Sequence, residues 1–127
     1  MSSDGILTRI EKLTAFCRLV FWLGTAAVTA LSLLPQDALP PLPDISDKIE
    51  HAGAYAMLAV AAGPAWMRFE AHARIAVALI VLGGAIEIAQ LWVPGRSAEW
   101  GDFAADILGV LAGFTAFRTR AGRAARV

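Results

Sequence analysis

Four long apolar runs fill most of this chain, and they limit what it can fold into more than any other feature. They extend over about residues 19–34, 49–67, 75–93 and 103–117, and the first and third stop at Pro35 and Pro94. A membrane-spanning helix needs roughly 20 mostly apolar residues. The runs are too long for strands and lack period-two alternation, so each predicts a helix. The fourth is short. A soluble domain of 127 residues could not bury four such segments and still cover them. The expectation is an all-α integral membrane protein: four transmembrane helices in one compact bundle, a single domain over residues 1–127. No repeat, low-complexity linker or second domain is visible.

Charge narrows the function classes. Only 17% of residues are charged, against about 25% in an ordinary soluble domain. Eleven basic residues cancel eleven acidic ones, so no net field would draw a polyanion, and no nucleic-acid partner is expected. The lone Cys17 excludes an internal disulfide and reads as inert. Nine of the eleven basic residues (Arg9, Lys12, Arg18, Arg68, Arg74, Arg118, Arg120, Arg123 and Arg126) fall on one side of the four spans; Lys48 and Arg96 fall on the other. By the positive-inside rule both termini are cytoplasmic, and the loops between spans one and two and between three and four face outside. The first run could instead be a signal peptide, but Leu33, Leu34, Pro35 and Gln36 stand where a small-residue cleavage site would be, which favours a retained helix. Trp22, Trp66, Trp92 and Trp100 suit interface anchors.

The informative residues are polar groups in or beside the spans. Glu87 and Gln90 lie inside the third run and share a helix face at a spacing of three. Glu87 is about six residues from the end of the run, hence about 9 Å deep at about 1.5 Å per residue. An ionisable group at that depth points to a partner, a protonated carboxyl or a wet cleft. Gly83, four residues earlier, lets a neighbouring helix come close. Asp47, His51 and Tyr55 share a face at the start of the second run, with Lys48 beside them. Asp102, Asp106, Gly109 and Gly113 form one stripe on the fourth, and Arg96 sits in the Pro94-Gly95-Arg96-Ser97 turn. Each has a plainer reading: Asp47 as a helix cap, His51 and Tyr55 as interfacial residues, and Arg96 as the partner of Glu99 or Asp102. The G-x-x-x-G of Gly109 and Gly113 reads as helix packing, and glycine-rich faces would also permit a homodimer. All these groups lie at the outer ends of their helices, so the sequence predicts one outward-opening cluster of Asp47, Lys48, His51, Glu87, Gln90, Arg96, Asp102 and Asp106.

Taken together the motifs resemble the VanZ family of small integral membrane proteins. The resemblance rests on Asp47-Lys48 with His51 following and Tyr55 and Leu58 beyond; on Glu87-x-x-Gln90 followed by Pro94-Gly95-Arg96; and on Asp102, Asp106 and Gly109. It covers about residues 44–115. Asp106 stands where the family usually has Asn, and Gly53-Ala54 replaces a larger aromatic before Tyr55. The resemblance implies a bacterial inner-membrane protein of the cell envelope; the founding member is associated with low-level teicoplanin resistance.

Three mechanisms fit these residues. In the first, Lys48, Gln90, Arg96, Asp102 and Asp106 bind a lipid-linked or cell-wall substrate at the outer leaflet, alongside membrane lipid. Glu87, Asp47 and His51 are then the candidates for acid–base work. No cofactor is required, although Asp47, Asp102 and Asp106 could hold a divalent cation. No nucleophilic Ser or Cys arrangement accompanies them. In the second, the cluster is a structural network in a scaffold or regulator of envelope enzymes. A proton-coupled channel or transporter is the third, and the plain inner halves of the helices argue against it.

Overall fold

The computed structural model describes residues 3–39 and 44–124. These form four helices: α1 (Ser3–Ser32), α2 (Asp44–Ala65), α3 (Phe69–Gln90) and α4 (Trp100–Ala124). A short 3₁₀ turn covers Gln36–Ala38. Arg126 lies outside the described residues. Three helices are long and apolar enough to cross a membrane: Asp4–Ser32, Phe69–Gln90 and Trp100–Ala124. α2 is not among them, because Asp47, Lys48, Glu50 and His51 crowd its first turns and alanines fill much of the rest. It packs against all three other helices, so it is the element that depends least on side chains compatible with lipid.

The helices run longer than the apolar runs. α1 begins at Ser3 and α3 at Phe69, so Arg9, Lys12 and Arg18 lie on α1 itself, where the sequence suggests a lead-in, and Arg74 lies on α3. α4 extends from Trp100 to Ala124. The flanking residues are mostly good helix formers with no proline, so a helix started by an apolar run propagates through them.

Successive helices are antiparallel, and the two ends of the bundle are built differently. At one end the last carbonyls of α2 accept hydrogen bonds from other helices. His72 of α3 contacts Gly63 O at 3.2 Å, Thr14 Oγ1 of α1 donates to Pro64 O at 3.5 Å, and Arg18 Nε donates to Ala65 O at 3.1 Å. A helix end leaves such carbonyls without intrahelical partners. Arg118 lies over the Phe69 ring at this end. Lys48 and Arg96 lie at the opposite end, so the basic residues segregate along the bundle as the sequence suggests.

The interior between the ends is apolar and small. Phe21, Tyr55, Leu58, Ala59, Ala62, Leu79, Val110 and Phe114 form the core. α2 and α4 approach closest. A Cβ at Gly109 would strike the Ala52 carbonyl oxygen, and one at Gly113 the Ala56 carbonyl oxygen. The G-x-x-x-G therefore serves a contact inside one chain, where its glycines are buried by α2 and not free to receive a second copy.

Candidate functional site

The polar end of the bundle is organised around α2. Asp47, His51 and Tyr55 recur every four residues, so one face of α2 points them all toward α3 and α4. α2 begins at Asp44, which puts Asp47 a turn inside the helix and removes the capping role the sequence allows it. His51 Nδ1 lies 3.0 Å from Asp106 Oδ1 of α4. Asp106 is 1% exposed and Glu87 of α3 is 6% exposed, so two carboxylates share this buried space. Gly83 makes the room: a Cβ there would sit 2.6 Å from Asp106 Oδ2. Glu87 Oε2 accepts a hydrogen bond from the Glu99 N–H at 2.8 Å, and the Glu99 carbonyl accepts from the first turn of α4. Glu87 thus fixes where α4 starts. Among the described residues its other oxygen, Oε1, has no partner, and neither has the hydroxyl of Tyr55, which is 1% exposed.

Nearer the mouth, Lys48 Nζ donates to Glu99 Oε2 at 3.0 Å and Asp102 Oδ1 at 3.1 Å. Those two bonds raise the lysine pKa and hold it charged. Gly101 leaves room for the lysine arm. Asp47, His51 and Asp102 offer ligand atoms within 4.8 Å of one another, as do His51, Glu87 and Asp106. The acids thus divide into two groups that share His51, in contrast to the all-oxygen set of Asp47, Asp102 and Asp106 that the sequence suggests.

Two residues expected to bind substrate are engaged with backbone instead. Gln90 Nε2 donates to Ser32 O at 2.9 Å. Arg96 donates through Nε to Leu34 O at 3.2 Å and through a terminal nitrogen to Leu31 O at 3.4 Å. Both close off the C-terminus of α1, so Arg96 does not pair with Glu99 or Asp102. Gln36 N–H donates to Pro94 O at 3.3 Å, which ties the same two loops, and Gly95 turns there at φ +75°. That left-handed value favours glycine.

Together these contacts frame a cleft of about 610 Å³. Asp47, His51, Tyr55 and Asp102 line its polar side, and Val28 and Leu31 of α1 line an apolar one. All eight predicted residues lie at this end of the bundle. Sequence reasoning gave Tyr55 only as an interfacial residue and Glu99 only as a partner for Arg96. It missed His72 at the opposite end, 5% exposed between Phe114 and Phe117. With two arginines nearby, His72 reads in the sequence as an ordinary surface residue.

His51 on the cleft wall and the buried carboxylates of Glu87 and Asp106 behind it can together hold a cation or share a proton. No family model, curated protein or solved structure matches the chain.

Proposed function

We propose that this chain is a VanZ-like protein of the bacterial cytoplasmic membrane, spanning it four times with both termini inside. Its cleft opens at the outer face and takes the polar end of a lipid-linked or cell-wall precursor. The apolar part of that ligand lies along Val28 and Leu31 of α1. The observation that carries this reading is a cleft with one apolar wall whose polar side presents His51, backed by Glu87 and Asp106, which are buried from different helices. Two buried acids side by side are costly for a fold that needs only to stand up. In this reading Asp47 and Asp102 orient the ligand's polar groups, and His51, with Glu87 and Asp106 behind it, is the centre they surround. The family resemblance adds glycopeptide tolerance as the phenotype to examine.

A scaffold reading has its own support. Lys48, Gln90 and Arg96 are occupied by contacts that hold helices together. The chain would then steady or regulate envelope enzymes and bind no substrate.

Teicoplanin tolerance separates the two. Cells expressing wild type or Glu87→Gln are compared at equal membrane abundance. The binding reading expects tolerance from wild type and its loss in the variant. Equal tolerance from both moves the function to the scaffold. No effect from wild type removes the glycopeptide link.

A further inference from the structure

Once the partners in the cleft are assigned, its cations are all in use. Lys48 is held by Glu99 and Asp102, and Arg96 by carbonyls of α1. The inner carboxylates, Glu87 and Asp106, are left with one imidazole between them. Two buried polar atoms, Glu87 Oε1 and Tyr55 Oη, have no partner among the described residues. Buried carboxylate oxygens without a partner are rare, because desolvation strongly disfavours them.

We propose that His51, Glu87 and Asp106 form a metal site for one divalent transition-metal ion of the zinc or manganese class. Three different helices supply the ligands, and their ligand atoms lie within 4.8 Å of one another. Ligands about 2.1 Å from a tetrahedral zinc stand about 3.4 Å apart, so a contraction of at most about 1.4 Å seats three ligands and leaves a fourth position open. The donor set of one imidazole nitrogen and two carboxylates suits zinc, manganese or ferrous iron. Magnesium and calcium prefer oxygen alone. A dication balances both carboxylates and gives Glu87 Oε1 its missing partner. Tyr55, one turn along α2 from His51, is 1% exposed, and its hydroxyl has no partner among the described residues. The outer group of Asp47, His51 and Asp102 is the poorer site, since the Lys48 ammonium already lies 3.1 Å from Asp102. The ion is reached from the cleft, where His51 and Tyr55 line the wall. This inference rests on the ligand-binding reading of the cleft and supplies what an acidic cleft lacks for an anionic ligand: a positive centre with open coordination positions.

The test uses the full chain in lipid nanodiscs, stripped with chelator and titrated with Co(II) and then Zn(II). Wild type is expected to bind one Co(II) per chain with visible d–d absorption. One equivalent of Zn(II) displaces it, and millimolar Mg(II) or Ca(II) does not. Glu87→Gln and Asp106→Asn, at unchanged helix content, weaken binding by more than about 10-fold, whereas Asp47→Asn does not. X-ray absorption of the zinc-loaded wild type is expected to show one imidazole, oxygen ligands and no sulfur, a result that needs no variant to fold. Folded wild type that takes up neither metal overturns the site. So does binding that survives Glu87→Gln but is lost with Asp47→Asn, or a zinc shell with two imidazoles or sulfur. Failure here leaves the tolerance assay to judge the cleft; a chain that binds zinc but confers no tolerance keeps the metal and loses the wall-precursor reading.

Discussion

Glu87 has two oxygens with different tasks. Oε2 anchors the N–H of Glu99 at 2.8 Å, and Oε1 faces the buried cluster without a partner. The two tasks can be separated by substitution. Glu87→Gln keeps an amide oxygen to accept the Glu99 N–H, so α4 still starts where it does. Glu87→Leu leaves that N–H without its acceptor, which costs about 1–3 kcal/mol. Unfolding in mixed micelles is expected to show Glu87→Gln close to wild type and Glu87→Leu clearly weaker. Equal stability of the two variants would mean that the Glu99 contact is not holding α4. Glu87 and Asp106 were legible in the sequence because a charge in an apolar run stands out. Gln90 and Arg96 were legible by place, but their hydrogen bonds were not. Their partners are backbone carbonyls at the end of α1, and backbone groups carry no letter in the sequence.

At the scale of elements, the α2–α4 contact decides whether the site exists. α2 carries Asp47, Lys48, His51 and Tyr55; α4 carries Asp102 and Asp106. Glycines bring the two backbones together. Gly109→Ala is expected to push α4 off the Ala52 carbonyl and destabilise the bundle by about 1–3 kcal/mol. The same shift would open the 3.0 Å approach of His51 to Asp106. Gly53→Ala, on the partner helix α2 with nothing within 4 Å of the new Cβ, is the control. It is expected to leave stability unchanged or raise it by up to about 1 kcal/mol through helix propensity. Thermal unfolding of both variants against wild type measures the difference. The existence of four helices was legible from the apolar runs, because their length excludes strands. Their ends were not. α1 continues through Thr8, Arg9, Glu11 and Lys12, which a hydropathy pattern excludes but the helical backbone accepts. The closing of α2 by Thr14, Arg18 and His72 was also beyond reach, since it joins residues about 50 positions apart in two of the three cases.

The whole molecule is apolar outside and partly polar within. Leu13, Phe16, Leu19, Trp22, Leu23, Val77, Val81, Leu108 and Leu111 are exposed, while Glu87, Gln90, Asp102 and Asp106 are buried. That order suits a hydrocarbon surround better than water, in keeping with the three helices long and apolar enough to cross a membrane. The buried core from Tyr55 through Leu58, Ala59 and Ala62 to Phe114 separates the acidic end from His72. The ends also differ in charge, and this gives a direct test of orientation. Cys17 is the only cysteine, so a Cys17→Ser background carries no thiol. Ser97→Cys in the exposed loop beside the cleft and Met67→Cys in the exposed turn at the basic end then report one end each. A membrane-impermeant maleimide is expected to label Ser97→Cys in intact cells, and Met67→Cys only after the membrane is opened. The opposite pattern would turn the cleft toward the cytoplasm. It would then exclude any precursor presented at the outer leaflet while leaving the acidic floor, and its affinity for a cation, untouched.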